Sequence, residues 1–262
     1  MTLVELDTKS RQFFDSFLLF YSGWNKGQAR QVEIKRQHSY RVSELSGKIA
    51  ASLNLDIEDV AIARVAGLLH DLGRFPQLLK FNTYDDAISG DHAAMGVDEI
   101  ERGNVFQGID SDAARIIKVA IYQHNKPELP DSLNDRERLF CRILRDADKL
   151  DILESLTNHY SNPFDEANHT LSWNLPKGRG ISDQVAHAVK SGKTVTREFL
   201  KTQDDIKVMQ LSWVYDLNFK ASFRILSQGR YVDKIYGVLP KRDVVIDIYR
   251  LVRIYVENQF MN

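Results

Sequence analysis

The feature that most constrains this chain is the pair His70-Asp71, at the end of the apolar run Val65-Ala-Gly-Leu-Leu-His-Asp-Leu-Gly-Arg74. The run reads as a helix, with Asp56 placed to cap its start and Gly73 placed to end it in a left-handed turn. An ionised carboxylate in such a setting is costly unless something compensates it. A divalent metal ion is the natural partner, because it accepts imidazole nitrogen and carboxylate oxygen together.

The same kind of position recurs along the chain. Of seven histidines, His38, His70, His92 and His124 fall within the first 124 residues, one on each of four predicted helices. His38 sits between Ile34 and Val42, His70 continues Ala63 and Ala66, and His124 continues Ile117, Ala120 and Ile121. Asp148 continues the face of Cys141 and Leu144 on a fifth helix. One histidine on an apolar face reads as a satisfied core residue. Four of them with two aspartates read as a metal site. His70, Asp71 and His124 also fall at predicted helix C-termini, where the helix dipole favours a cation. Small residues before His70 (Ala63, Ala66, Gly67) let helices approach closely enough to share one ion.

The periodicity predicts an all-α chain, with no strand-like alternation of convincing length. Helices are expected over 10–21, 31–53 and from Asp56 to His70-Asp71, followed by a loop over 75–90. A short helix opened by Ser89 or Asp91 carries His92. Another, capped by Asp110 or Ser111, ends at His124-Asn125, where Pro127 and Pro130 forbid its continuation. A long helix over about 134–159 carries Asp146, Asp148 and Asp151. Residues 162–182, with the basic stretch Lys177-Gly-Arg179-Gly, read as a surface excursion. Helices resume near Ser182, Trp213, Tyr215, Phe219 and Phe223 read as aromatic anchors, and 241–260 form a last amphipathic helix. The expected organisation is a metal-binding core over 1–160 with a C-terminal extension, 161–262, packed on it.

Composition sets the limits. A net charge of −1 over 262 residues gives no bulk attraction to nucleic acid or to an anionic membrane. The single cysteine, Cys141, excludes an intrachain disulfide and a cysteine-based zinc site, and suits a reducing compartment. The N-terminus mixes charges from the start and does not read as a signal peptide. A patch over 13–20 is broken by Asp15 and is too short to span a bilayer. A soluble cytoplasmic protein without membrane partners is expected.

Taken together, these residues resemble the HD-domain superfamily, all-helical metal-dependent phosphohydrolases with the order His…His-Asp…Asp. His38, His70, Asp71 and Asp148 match that order, the last within Asp146-Ala-Asp148-Lys-Leu-Asp151. Gly90-Asp-His92-Ala-Ala-Met-Gly96 and Ala120-Ile-Tyr-Gln-His124-Asn resemble the two extra histidine motifs of the binuclear subgroup. The resemblance covers about 34–155 and implies an HD-domain helical bundle. It implies one metal held by His38, His70, Asp71 and Asp148 and a second held by Asp71, His92 and His124. Asp146 and Asp151 become the lesser candidates. One or two divalent ions are expected: manganese, iron, cobalt, nickel or zinc, with magnesium compatible.

Metal-activated water would then hydrolyse a small phosphorylated substrate such as a nucleotide. Asp71, Arg74 and Lys149 are the expected catalytic residues, with Arg74, Lys149 and Arg145 contacting substrate. The chain has His124-Asn125-Lys126 and Pro127-Glu-Leu-Pro130 where cyclic-diguanylate phosphodiesterases carry His-His-Glu and Gly-Tyr-Pro. It has Leu72-Gly73-Arg74 where stringent-response hydrolases carry Glu-Asp. Neither activity is carried over. The alternatives are an HD-fold di-iron oxygenase, which shares the six-ligand order, and a non-catalytic metal or nucleotide sensor.

Overall fold

A computed structural model describes residues 2–20, 25–161, 175–178 and 180–261, all helix, turn or coil with no strand among them. They form two compact units, Met1–Asp148 and Lys149–Asn262. No helix among the described residues is long and apolar enough to cross a membrane.

The first unit holds α1 (Leu3–Phe20), α2 (Lys26–Ser52), α3 (Ile57–Leu69), α4 (Arg74–Phe81), α5 (Asp86–Ser89), α6 (His92–Arg102), α7 (Ser111–Gln123) and the first half of α8 (Asp135–Ser161). Helix α3 lies against α1, α2 and α7, which explains why it reads apolar on nearly every side. Its Ala61, Ile62, Val65, Leu68 and Leu69 are buried. Close approach to α2 rests on small residues. A Cβ on Gly67 would lie 2.8 Å from both the Val42 carbonyl oxygen and Ser46 Oγ, and 2.9 Å from Ser43 Cα. Ser43 Oγ donates to the Arg64 carbonyl at 2.9 Å. Two backbones in contact set His38 and His70 side by side.

The caps follow local chemistry. Asp56 accepts from the Asp59 amide, Asp91 from Ala93, and Asp110 from Asp112 and Ala113, so the aspartates rather than the neighbouring serines start α6 and α7. Three expectations are corrected. Ile34 is exposed, and the buried stripe of α2 runs instead through Val32, Ser39, Val42, Ser46 and Ile49. The stretch 75–90 is not a loop: it contains most of α4 and all of α5, which bury Phe75 and Leu78 but leave Leu79, Phe81 and Ile88 exposed. Gly73 is right-handed (φ −67°) and sits at the start of α4. It is needed for space: a Cβ there would come 2.1 Å from the His92 carbonyl oxygen and 2.6 Å from the Gly96 nitrogen. This contact brings the His70-Asp71 turn onto the first turn of α6.

In the second unit, α9 (Asp183–Lys190) packs with α10 (Gln203–Ser212) and α13 (Asp243–Met261), and α11 (Lys220–Gln228) and α12 (Tyr231–Gly237) complete it. Asp205 ties two helix starts together, accepting from the Ser182 amide and hydroxyl and from the Lys201 and Thr202 amides. Tyr215 and Phe223 pack edge-on against Tyr255, with ring centroids 4.8 and 6.1 Å away. Most of the excursion expected over 162–182, including Arg179, lies outside the described residues.

Candidate metal centre

Each ligand candidate is delivered by a helix end or a buried helix face. His38 comes from the middle of α2, His70 and Asp71 from the turn closing α3, His92 from the first residue of α6, His124 from the C-cap of α7, and Asp148 from the middle of α8. The structure brings these six together in the first unit, as overlapping groups able to hold a metal ion: His38 with His70 and Asp71, His70 with His124 and Asp148, and Asp71 with His92 and His124.

The arrangement has two halves joined by Asp71. On one side His38 Nε2 and His70 Nε2 are 3.2 Å apart, and both face Asp71 Oδ2, at 3.6 and 3.5 Å. Asp148 Oδ1 closes this half at 3.1 Å from His38 Nε2 and 3.6 Å from His70 Nε2. On the other side His92 Nε2 and His124 Nε2 are 3.0 Å apart, and they face Asp71 Oδ1 at 3.4 and 3.9 Å.

Hydrogen bonds on the far side of the rings establish what these nitrogens offer. His70 Nδ1 donates to the Gly67 carbonyl (2.8 Å), His124 Nδ1 to the Ile121 carbonyl (2.6 Å), and His92 Nδ1 to Asp86 Oδ2 (2.6 Å). In the neutral ring the proton is then on Nδ1 and the lone pair on Nε2. Burial first, then the neighbouring histidines, pushes His124 down to about 3, and burial lowers His92 as well. His92 and His124 therefore aim two lone pairs at each other, a repulsive contact that a cation between them turns into two bonds. Metal–nitrogen bonds of about 2.1 Å at octahedral to tetrahedral angles place ligand atoms roughly 3.0–3.4 Å apart, close to the separations seen here. Asp148 Oδ1 is moreover buried with no hydrogen-bond partner. The donor set fits one or two divalent ions.

The carboxylates are ready to ligate. Burial opposes ionisation of Asp71, yet Lys35, His70, Arg74 and His92 outweigh it and hold the carboxyl well below the usual range. Burial likewise opposes ionisation of Asp148, and the neighbouring His38 and His70 rings outweigh it and hold its carboxyl well below the usual range. Three residues that the sequence reading passed over stand around Asp71. Lys35 Nζ lies 2.6 Å from Asp71 Oδ2, Asp86 backs His92, and Tyr84 lies beside Arg74. Lys35 could have been found, since it sits one helical turn before His38. Asp86 and Tyr84 could not, because they fall in the stretch read as loop.

The other expected site residues are placed as follows. Arg74 Nη1 donates to Gln77 Oε1, the Tyr84 carbonyl and Asp86 Oδ1 at 2.7–2.9 Å, and its Nε lies 3.5 Å from Asp71 Oδ1. Arg145 is buried and donates to the backbone carbonyls of Gln123, Lys126 and Pro127. Lys149, in the second unit, pairs with Asp216 at 2.7 Å. Asp146 and Asp151 are buried but join none of the metal-competent groups among the described residues. Cys141 is buried, and burial pushes its thiol up to about 12.

Comparison with known proteins agrees with this geometry. Residues 36–153 match the HD domain family, a segment that holds all six ligand candidates. Ribonuclease Y of Staphylococcus epidermidis is 34% identical over 97 residues, which is 37% of this chain and 15% of the relative. Ribonuclease Y of Thermus thermophilus is 31% identical over 115 residues (44% and 16%), and that of Nitratidesulfovibrio vulgaris is 42% identical over 62 residues (24% and 10%). The alignments thus span under a fifth of these relatives' length. No solved structure matches the chain significantly.

Proposed function

We propose that this chain is a metal-dependent phosphohydrolase acting on a small phosphate ester, with nucleotides the first class to test. The observation that carries the reading is the division of Asp71, with Oδ2 facing one histidine pair and Oδ1 facing the other. A carboxylate so divided suits two ions held side by side, His38, His70 and Asp148 completing the first set and His92 and His124 the second. When bound, such ions supply charge to neutralise a phosphoryl group and lower the pKa of a water molecule to about 7.

The chain's own groups do the rest. His70, His92 and His124 keep their Nδ1 protons turned away and present Nε2. Lys35 and Arg74 add positive charge beside Asp71, where an anionic ester would sit. The oxygen of water adds to phosphorus, the bond from phosphorus to the leaving oxygen breaks, and that oxygen leaves with a proton. Arg145 is better assigned to holding the 123–127 backbone, and so His124, than to touching substrate. The curated relatives are named as ribonucleases, which makes an RNA phosphodiester the competing substrate.

The test is phosphate release from nucleotides, simple esters and RNA oligonucleotides by anaerobically purified protein, with manganese, cobalt, nickel, zinc or magnesium added back after chelation. Turnover without dioxygen, removed by chelator and restored by metal, is the expected result. Strict dependence on dioxygen, with iron as the only active metal, would replace the hydrolase with an oxygenase built on the same ligands.

A further inference from the structure

Beside the ligands stands a group of donors with hydrogen-bonding capacity left unused. The ring of Tyr84 lies between two cations, with Lys35 Nζ and Arg74 Cζ each 5.8 Å from its centroid. Its hydroxyl is buried and has no hydrogen-bond partner. A buried hydroxyl left unpaired costs about 1–3 kcal/mol, so its place is explained by an acceptor that arrives from outside. Arg74 repeats the pattern. Its Nη1 is committed to Gln77, Tyr84 and Asp86, while its Nε is buried without a hydrogen-bond partner. Lys35 uses one of its three protons on Asp71 at 2.6 Å. Lys35 meets Asp71 at Oδ2 and Arg74 Nε lies 3.5 Å from its Oδ1, and the Tyr84 ring lies against both cations, so the three gather around the residue that joins the two halves of the metal centre.

We infer that Lys35, Arg74 and Tyr84 form a clamp for a terminal phosphate, and that the chain prefers dianionic phosphomonoesters to phosphodiesters. The inference rests on the phosphohydrolase reading above and narrows its substrate. A terminal phosphate has three non-bridging oxygens and two negative charges. The clamp offers three donors: a phenol, an ammonium and the Nε edge of a guanidinium. A diester brings only two such oxygens, leaving a buried donor unpaired. Leaving a buried donor unpaired at that cost is worth about tenfold or more in specificity.

The experiment compares p-nitrophenyl phosphate with bis(p-nitrophenyl) phosphate on the metal-loaded wild type, Tyr84→Phe and Lys35→Gln. Calorimetric titration of each protein with inorganic phosphate and measurement of its metal content run alongside. The wild type should favour the monoester in kcat/KM by about tenfold or more. Tyr84→Phe should lower monoester kcat/KM about tenfold, mainly through KM, and move the diester by less than about twofold. Phosphate affinity should fall about tenfold in both variants, with metal content unchanged. An equal or faster diester, an equal loss on both esters in Tyr84→Phe, or phosphate affinity indifferent to Tyr84 would overturn the clamp while metal-dependent turnover stands. If neither ester turns over with any metal, the hydrolase reading fails, and with it the ester preference. Phosphate affinity in Tyr84→Phe then decides separately whether the clamp exists.

Discussion

The two halves of the metal centre share Asp71 and are otherwise built differently. The His38–His70 half contains a second carboxylate, Asp148, and its His70 is oriented by a backbone carbonyl. Among the described residues, the His92–His124 half has no second carboxylate pointing inward. Its negative charge stands one step back, at Asp86, bonded to the far nitrogen of His92. Burial opposes ionisation of Asp86 too, but the His92 hydrogen bond, Arg74 and Gln77 override it. A carboxylate that ligates adds a bond and a charge, whereas one that backs a histidine adds orientation and basicity. The first half should therefore hold its ion more tightly.

The largest effect should come from the shared residue. Asp71→Ala is expected to abolish binding of both ions, and to destabilise the fold because Lys35 and Arg74 lose their buried partner. Breaking a buried pair on one side typically costs about 3–5 kcal/mol. Metal analysis and denaturant unfolding would register both, and a variant that kept either ion would contradict a shared carboxylate. His92→Ala comes next. It should lose one ion per chain and keep the ion of the first half, whereas equal loss of both would erase the difference between the halves.

Acid should separate the halves in the metal-free protein. His124 is held down to about 3 in the folded chain, against an ordinary value of 6.5. Between those values the unfolded state binds more protons, so the chelated protein should lose stability as pH falls from 6.5 toward 3, by up to about 5 kcal/mol. Asp71 and Asp148 add no slope above pH about 5, being ionised in both states. Urea midpoints at stepped pH, with His124→Asn as the flattened control, would measure this. A flat wild-type profile would remove the assignment of a neutral, buried His124. The smallest effect belongs to Asp86→Asn, expected to weaken the second ion about 10- to 100-fold and spare the first. An unchanged second ion would make Asp86 a partner of Arg74 alone.

The ligand order and the helices that carry it were readable because both depend on short-range chemistry. Asp56, Asp91 and Asp110 cap through amides two or three residues away, and the apolar face before His70 follows a simple period. Around Gly73 and Ile34 the reading failed for one reason. A glycine signals left-handed backbone or missing volume, and an isoleucine signals a face, but neither says which neighbour it meets. The stretch 75–90 was missed because its helices bury few apolar residues each.

By itself, then, the sequence determined that this chain is helical and singled out six candidate metal ligands, since residue type and helical period are enough for that. Only the tertiary structure decided which oxygen of Asp71 faces which histidine pair, that Asp86 backs His92, and that Lys35, Arg74 and Tyr84 gather beside the ligands. The physical reason is distance along the chain. Lys35 and Asp71 are separated by 36 positions and meet at 2.6 Å, because Gly67 lets α2 and α3 touch. No local pattern encodes a meeting that depends on two backbones packing without a side chain between them.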